Sequence, residues 1–174
     1  MEPNVEKKKG AELQFELKLT VKDLWAFSMY HANAGFRGIF NLLFTAAALF
    51  LLVFKWGSLP VSSRLLLALC VLLFTVWQPF LLYTKARRQA KAPVIRDVMT
   101  LTFGEEGLKV EQSGQTAEFA WDQMGRMDRM PSMIVLYMDR VHAYLLPKSV
   151  TGDQEEALCE MARKHLPKER RRKI

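Results

Sequence analysis

Between Gly38 and Thr84 the chain carries only two charged side chains, Lys55 and Arg64, out of 25 Lys+Arg and 18 Asp+Glu in its 174 residues. Two apolar runs fill that stretch. Ile39–Trp56 and Leu65–Tyr83 hold 18 and 19 residues, about 27 and 28 Å as helices, against a bilayer hydrocarbon core of about 30 Å. Trp56, Trp77 and Tyr83 stand near the expected interfaces, and Lys55 is placed to snorkel. A soluble helix that is apolar on every side needs a large protein around it, and the rest of this chain is too short to supply one. A cleaved signal peptide does not fit either, because the first run follows some 38 polar or amphipathic residues and exceeds a signal core in length. The expectation is two membrane spans.

The linker between them, Gly57-Ser58-Leu59-Pro60-Val61-Ser62-Ser63, is short and turn-rich, so the spans form a helical hairpin with both termini on one side. Lys18, Lys22 and Arg37 precede the hairpin and Lys85, Arg87, Arg88, Lys91 and Arg96 follow it. The positive-inside rule then puts both termini in the cytoplasm, and the reading is a bacterial cytoplasmic (inner) membrane protein.

A formal charge of +7 invites a nucleic-acid reading, but its distribution argues otherwise. Residues 98–167, the largest polar segment, carry seven positive and eleven negative side chains. The excess of cations lies in a collar after the second run (Lys85, Arg87, Arg88, Lys91) and in the tail (Lys168, Arg170, Arg171, Arg172, Lys173). A nucleic-acid-binding module carries its cations on the folded domain, whereas these positions suit contact with anionic lipid. They are the expected lipid-contacting residues. Cys70 lies in the second run and Cys159 in the polar part, so no disulfide scaffold is implied.

The polar segments divide into 1–37, with a strand and an amphipathic helix, the hairpin 38–84, a domain over 94–167, and the basic tail 168–174. Leu13, Phe15, Leu17 and Leu19 alternate with Gln14, Glu16 and Lys18, which predicts a half-buried strand over Glu12–Thr20. Thr20 with Asp23 forms a capping box, and apolar residues at helical spacing from Val21 to Phe36 predict an interfacial helix over 21–37. Six strands follow, over Val98–Phe103, Leu108–Gln112, Gln115–Trp121, Gln123–Met130, Met133–Met138 and Val141–Leu146, with a hairpin turn at Ser113-Gly114. Asp153 and Glu156 make a capping pair for a final helix over Asp153–Leu166. A lone strand is unstable in water, so the N-terminal strand should join the C-terminal sheet. Seven antiparallel strands closed by one helix is the count of an α+β pleckstrin-homology-like (PH-like) domain.

The chain also resembles the YcxB-like proteins of bacteria. The resemblance lies in FELKLTVKDLWAF (Phe15–Phe27) ahead of the two runs, LTFGEEGLKV (Leu101–Val110), FAWDQMGRM (Phe119–Met127) and HAYLLPKSV (His142–Val150). It implies a membrane-anchored, PH-like cytoplasmic domain and brings no established activity or catalytic residues.

No constellation in the sequence carries chemistry. His31, His142 and His165 stand far apart, Cys159 and His165 fall on different helix faces, and there is no nucleophile elbow or phosphate loop. No catalytic, metal or cofactor site is expected. Glu105 and Glu106 read as solvated turn carboxylates, and Trp121 and the methionines Met124, Met127, Met130, Met133 and Met138 read as core. Asn41 and Gln78 are the polar residues of the spans, read as capping or interhelical groups unless the hairpin self-associates. The function expected is non-enzymatic: a membrane-held module that binds another membrane or cytoplasmic protein, or modulates a membrane complex. Anionic-lipid sensing through the collar and tail is the alternative, a membrane-bound enzyme the third reading, and homo-oligomerisation is left open.

Overall fold

The alternation at the N-terminus produces a strand, and the strand finds its partner far along the chain, beyond the two apolar helices. In the computed structural model, which describes residues 12–174, β1 (Leu13–Leu17) pairs antiparallel with β2 (Met99–Phe103), Leu13 opposite Phe103 and Leu17 opposite Met99. Residues 1–11 of the expected N-terminal segment lie outside the described residues. β3 (Gly107–Gln112) and β4 (Gln115–Ala120) extend this sheet in the order β1-β2-β3-β4. The two-residue turn between β3 and β4 works because Ser113 and Gly114 both take positive φ, 50° and 78°, as a twist-matched hairpin turn demands.

A second sheet has the order β7-β6-β5-β8, from β5 (Arg126–Arg129), β6 (Met133–Tyr137), β7 (Ala143–Pro147) and β8 (Arg171–Arg172). Short helices α5 (Pro93–Arg96) and α6 (Lys148–Thr151) flank the strands, and α7 (Glu155–His165) closes the core. That core joins Phe15, Leu101, Phe103 and Leu108 of the first sheet to Met127, Ile134, Leu136 and Leu146 of the second, under Leu158, Cys159 and Ala162 of α7. Met124, Met127, Met130 and Met133 are buried, and Met138, partly buried, packs against the core at its margin.

Several expectations shift. Among the described residues the strand count is eight, because the tail contributes β8, which pairs parallel with β5. The last helix starts at Glu155 without a side-chain cap. Glu156 does not turn back to cap it, since its carboxylate takes Arg163 at 2.7 Å and Arg129 at 3.2 Å. The strand expected from Val141 begins at Ala143, because Asp139 Oδ1 accepts the N–H groups of Val141 and His142 at 2.6 and 2.7 Å. Trp121 leaves β4 and opens a 3₁₀ turn, Trp121–Gln123, whose Gln123 side chain accepts the Ala120 N–H at 3.0 Å.

The other compact unit is Thr20–Ala92. Its first helix, α1 (Val21–Ala32), opens on the expected capping box: Thr20 N–H donates to Asp23 Oδ2 at 2.9 Å and Asp23 N–H to Thr20 Oγ1 at 3.3 Å. It does not run on to residue 37. Asn33 caps it by donating to the Met29 carbonyl, Gly35 turns left-handed at φ 63°, and α2 (Phe36–Phe54) starts afresh. The corner is tight, since a Cβ on Gly38 would lie 1.9 Å from the Asn33 carbonyl oxygen. Instead of standing alone as a surface helix, α1 packs along α4 (Gln78–Gln89), with the Trp25 indole donating to the Pro79 carbonyl at 3.1 Å and meeting Tyr83 edge-on.

α2 packs against α3 (Val61–Leu72), and α3 continues through a wide π turn, Leu73–Trp77, into α4. The wide turn answers Pro79, whose ring lacks an N–H and would collide with the carbonyl one turn earlier. The most apolar 18-residue stretches within Phe36–Phe54 and Val61–Gln89 have mean hydropathies of 2.0 and 2.3, and both helices are long and apolar enough to cross a membrane.

Candidate interaction groove

Above the inner face of the first sheet lies an open cavity of about 660 Å³. Its floor is Leu17, Met99, Val110 and Ala117, one residue from each strand, and its far wall is Ala143–Leu145 of β7. Ala117 stands opposite Val110 in the register, and a methyl group cannot fill the space that Phe119, opposite Leu108, fills one pair further along. The near wall is the segment around α5. Gln112 Nε2 holds it by donating to the Val94 and Asp97 carbonyls at 2.9 and 3.2 Å, and Ser113 donates to Asp97 Oδ2.

The β7 wall also offers backbone chemistry. Met138 N–H donates to the His142 carbonyl and Lys148 N–H to the Ser132 carbonyl, both at 3.0 Å, so residues 142, 144, 146 and 148 turn their backbone groups toward β6. By the alternation of an antiparallel ladder, Ala143, Leu145 and Pro147 turn theirs outward. β7 is the terminal strand of its sheet, and among the described residues the outward groups of Ala143 and Leu145 have no backbone partner. Pro147 fits because an outward position needs no N–H. The rim adds exposed aliphatics, Val94 at 66% and Val141 at 84% exposure. The Val141 tip is held by Asp139, whose carboxyl is lowered to about 2, first by the His142 ring at 2.7 Å and then by the two backbone N–H groups it accepts.

The opposite end of the domain is closed. Trp121, 6% exposed, donates from its indole to the Gly104 carbonyl at 2.9 Å and stacks on His165 at 5.0 Å between ring centroids. His165 Nε2 lies 3.1 Å from Glu105 Oε2, at ion-pair distance but without hydrogen-bond geometry. Lys164 reaches the same carboxylate at 2.6 Å, and its hydrogen bond holds Glu105 below the usual carboxylate range against the opposing effect of desolvation. This cluster ties the β2–β3 turn to α7. Burial pushes the Cys159 thiol up, so it stays protonated as a core residue.

The expected lipid-contacting residues separate into two kinds. Lys85, Arg87 and Arg88 are exposed on the last turns of α4, and Lys91 is exposed just after it. In the tail, Arg170 donates to the Asp122 and Met124 carbonyls at 2.9 and 3.2 Å, and Arg171 to the Arg163 carbonyl at 3.1 Å. Those two guanidinium groups fasten the chain end to its own domain, while Lys168 and Arg172 are exposed. Sequence reasoning missed the groove, whose residues share no motif. The only local signals were the proline in β7 and the Ala117 among larger apolar residues.

No curated protein and no solved structure matches the chain. The YcxB-like protein family model matches residues 103–159, from the end of β2 into α7, a segment that supplies the β3, β4 and β7 parts of the groove. Over this segment the chain is similar to the YcxB-like protein family.

Proposed function

We propose that this protein is a non-enzymatic component of the bacterial inner membrane. Two spans anchor it, and a PH-like cytoplasmic domain binds an extended segment of another protein along the open edge of β7. The single observation carrying this reading is the groove: outward N–H and C=O groups at strand spacing are complemented by an extended backbone, and the apolar floor beside them takes its side chains. The PH-like reading is supported by two four-stranded sheets whose core is closed by a C-terminal helix. The membrane reading is supported by the two long apolar helices. Lipid contact through Lys85, Arg87, Arg88 and Lys91 orients the domain without being its main task, because two spans already provide the anchoring.

Reporter fusions in the Ser58 linker and after Ile174 are expected to lie on opposite sides of the membrane, with the C-terminus inside. A C-terminus on the outer side would overturn the topology. For the groove, a photo-crosslinking residue at Val141 in the full-length protein in native membranes is expected to yield discrete protein adducts. Ala143→Pro removes one outward N–H while sparing the β6 ladder, and should weaken those adducts about tenfold, the scale of one or two lost hydrogen bonds with their register. Unchanged adducts in Ala143→Pro, with normal expression, would reject strand addition at β7.

A further inference from the structure

The helical unit carries a cavity of its own, about 360 Å³, lined by Ala32, Phe36, Arg37, Phe40, Asn41 and Gln78. Three of these six are polar, in the most apolar part of the chain. Arg37 and Asn41 are one turn apart and share a face of α2, while Gln78 opens α4 directly after the wide turn. None of the three side chains has a hydrogen-bond partner among the described residues. Polar groups left unpaired at membrane depth are costly, so a set that converges on one cavity points to something that pairs with it.

The chemistry of that partner follows from the lining. Arg37 has donors only and a fixed positive charge, the Asn41 and Gln78 amides each offer two N–H donors, and no carboxylate lines the cavity. This suits an anion with several acceptor oxygens. Phe36 and Phe40 make the rest of the wall apolar, which suits an anion continuous with a hydrocarbon chain. Arg37 stands two residues ahead of the first apolar run, at the depth where headgroups lie if the helices span. We propose that the Arg37–Asn41–Gln78 cavity binds the phosphate of a phospholipid, with a preference for anionic lipid. This rests on the reading of the two helices as membrane spans. The same donors would also accept a soluble phosphate ester, and the test separates the two.

The full-length protein, purified in neutral detergent, is titrated with phosphatidylglycerol and the retained lipid is counted by native mass spectrometry. One tightly held lipid is expected. Arg37→Gln, and separately Asn41→Leu with Gln78→Leu, should each weaken its retention about tenfold, the scale of losing one hydrogen bond to a charged group. A collar variant carrying Lys85→Gln, Arg87→Gln and Arg88→Gln should retain it. Excess glycerol phosphate should not displace the lipid. Equal retention in the Arg37 and double variants, or loss only in the collar variant, would overturn the site. Displacement by glycerol phosphate would overturn the lipid as its ligand. Alkaline extraction keeps the two levels apart: release of the chain from membranes defeats the span reading itself, whereas a resistant chain with unaltered lipid retention in the variants defeats only this site.

Discussion

A fragment beginning at Pro93 is expected to lose cooperative unfolding altogether. β1 supplies Phe15 and Leu17, 2% and 3% exposed, to the core, and Phe15 meets Phe103 edge-on at 6.1 Å between ring centroids. Burying a Phe and a Leu contributes about 1.5–3 kcal/mol each. Removing the strand also uncovers Leu101 and Phe103 and strips the β2 edge of its five-residue partner. The combined loss, about 5 kcal/mol or more, equals the entire stability of many domains of this size. Urea unfolding followed by far-UV circular dichroism should show a broad, non-cooperative transition for the fragment, sharpened by adding a peptide covering Glu12–Thr20. A chain in which Glu12–Leu19 is joined to Pro93 by a flexible linker should unfold in a single step. A fragment that unfolds cooperatively at the same urea midpoint without β1 would refute this account of the sheet.

Trp121→Ala is expected to destabilise the same domain by about 3–5 kcal/mol, the range for deleting a buried aromatic. The loss has three parts. The ring leaves a cavity between Phe103 and His165, the Gly104 carbonyl loses its indole donor, and the β2–β3 turn loses one of its ties to α7. Trp121→Phe keeps most of the apolar area and drops only the N–H, so it should cost about 1–3 kcal/mol. The order Ala worse than Phe, read from denaturation midpoints of the full-length protein in detergent micelles, identifies a core residue. An unchanged midpoint in Trp121→Ala with Val141 crosslinks abolished would make it a recognition residue instead.

The strong local patterns in this sequence reach the structure nearly unchanged. Alternation in Leu13–Leu17 is enough for a strand, Thr20 and Asp23 for a helix start, and the near-absence of charge from Gly38 to Thr84 for two long apolar helices, because each depends on residues adjacent along the chain. Core assignments for Trp121, Met124, Met127, Met130 and Met133 also hold, because large apolar side chains favour burial wherever the chain places them, although Trp121, Met124 and Met130 lie outside the strands.

What tertiary structure decided is whatever depended on distant neighbours or on competition between local options. Apolar spacing runs unbroken from Val21 to Phe36, yet the helix stops at Ala32, because α1 packs along α4 and the chain must turn at Gly35 to enter α2. Glu156 could cap α7 or pair with Arg129 and Arg163, and only the fold brings Arg129 near enough to win. β8 is two residues long, too short for any periodicity, and exists because the Arg170 and Arg171 side chains find carbonyls in the folded domain. The groove is the extreme case. Leu17, Val110, Ala117 and Leu145 come from four strands spread over most of the chain, and the space among them is set by how those strands pack, a quantity that no stretch of sequence contains.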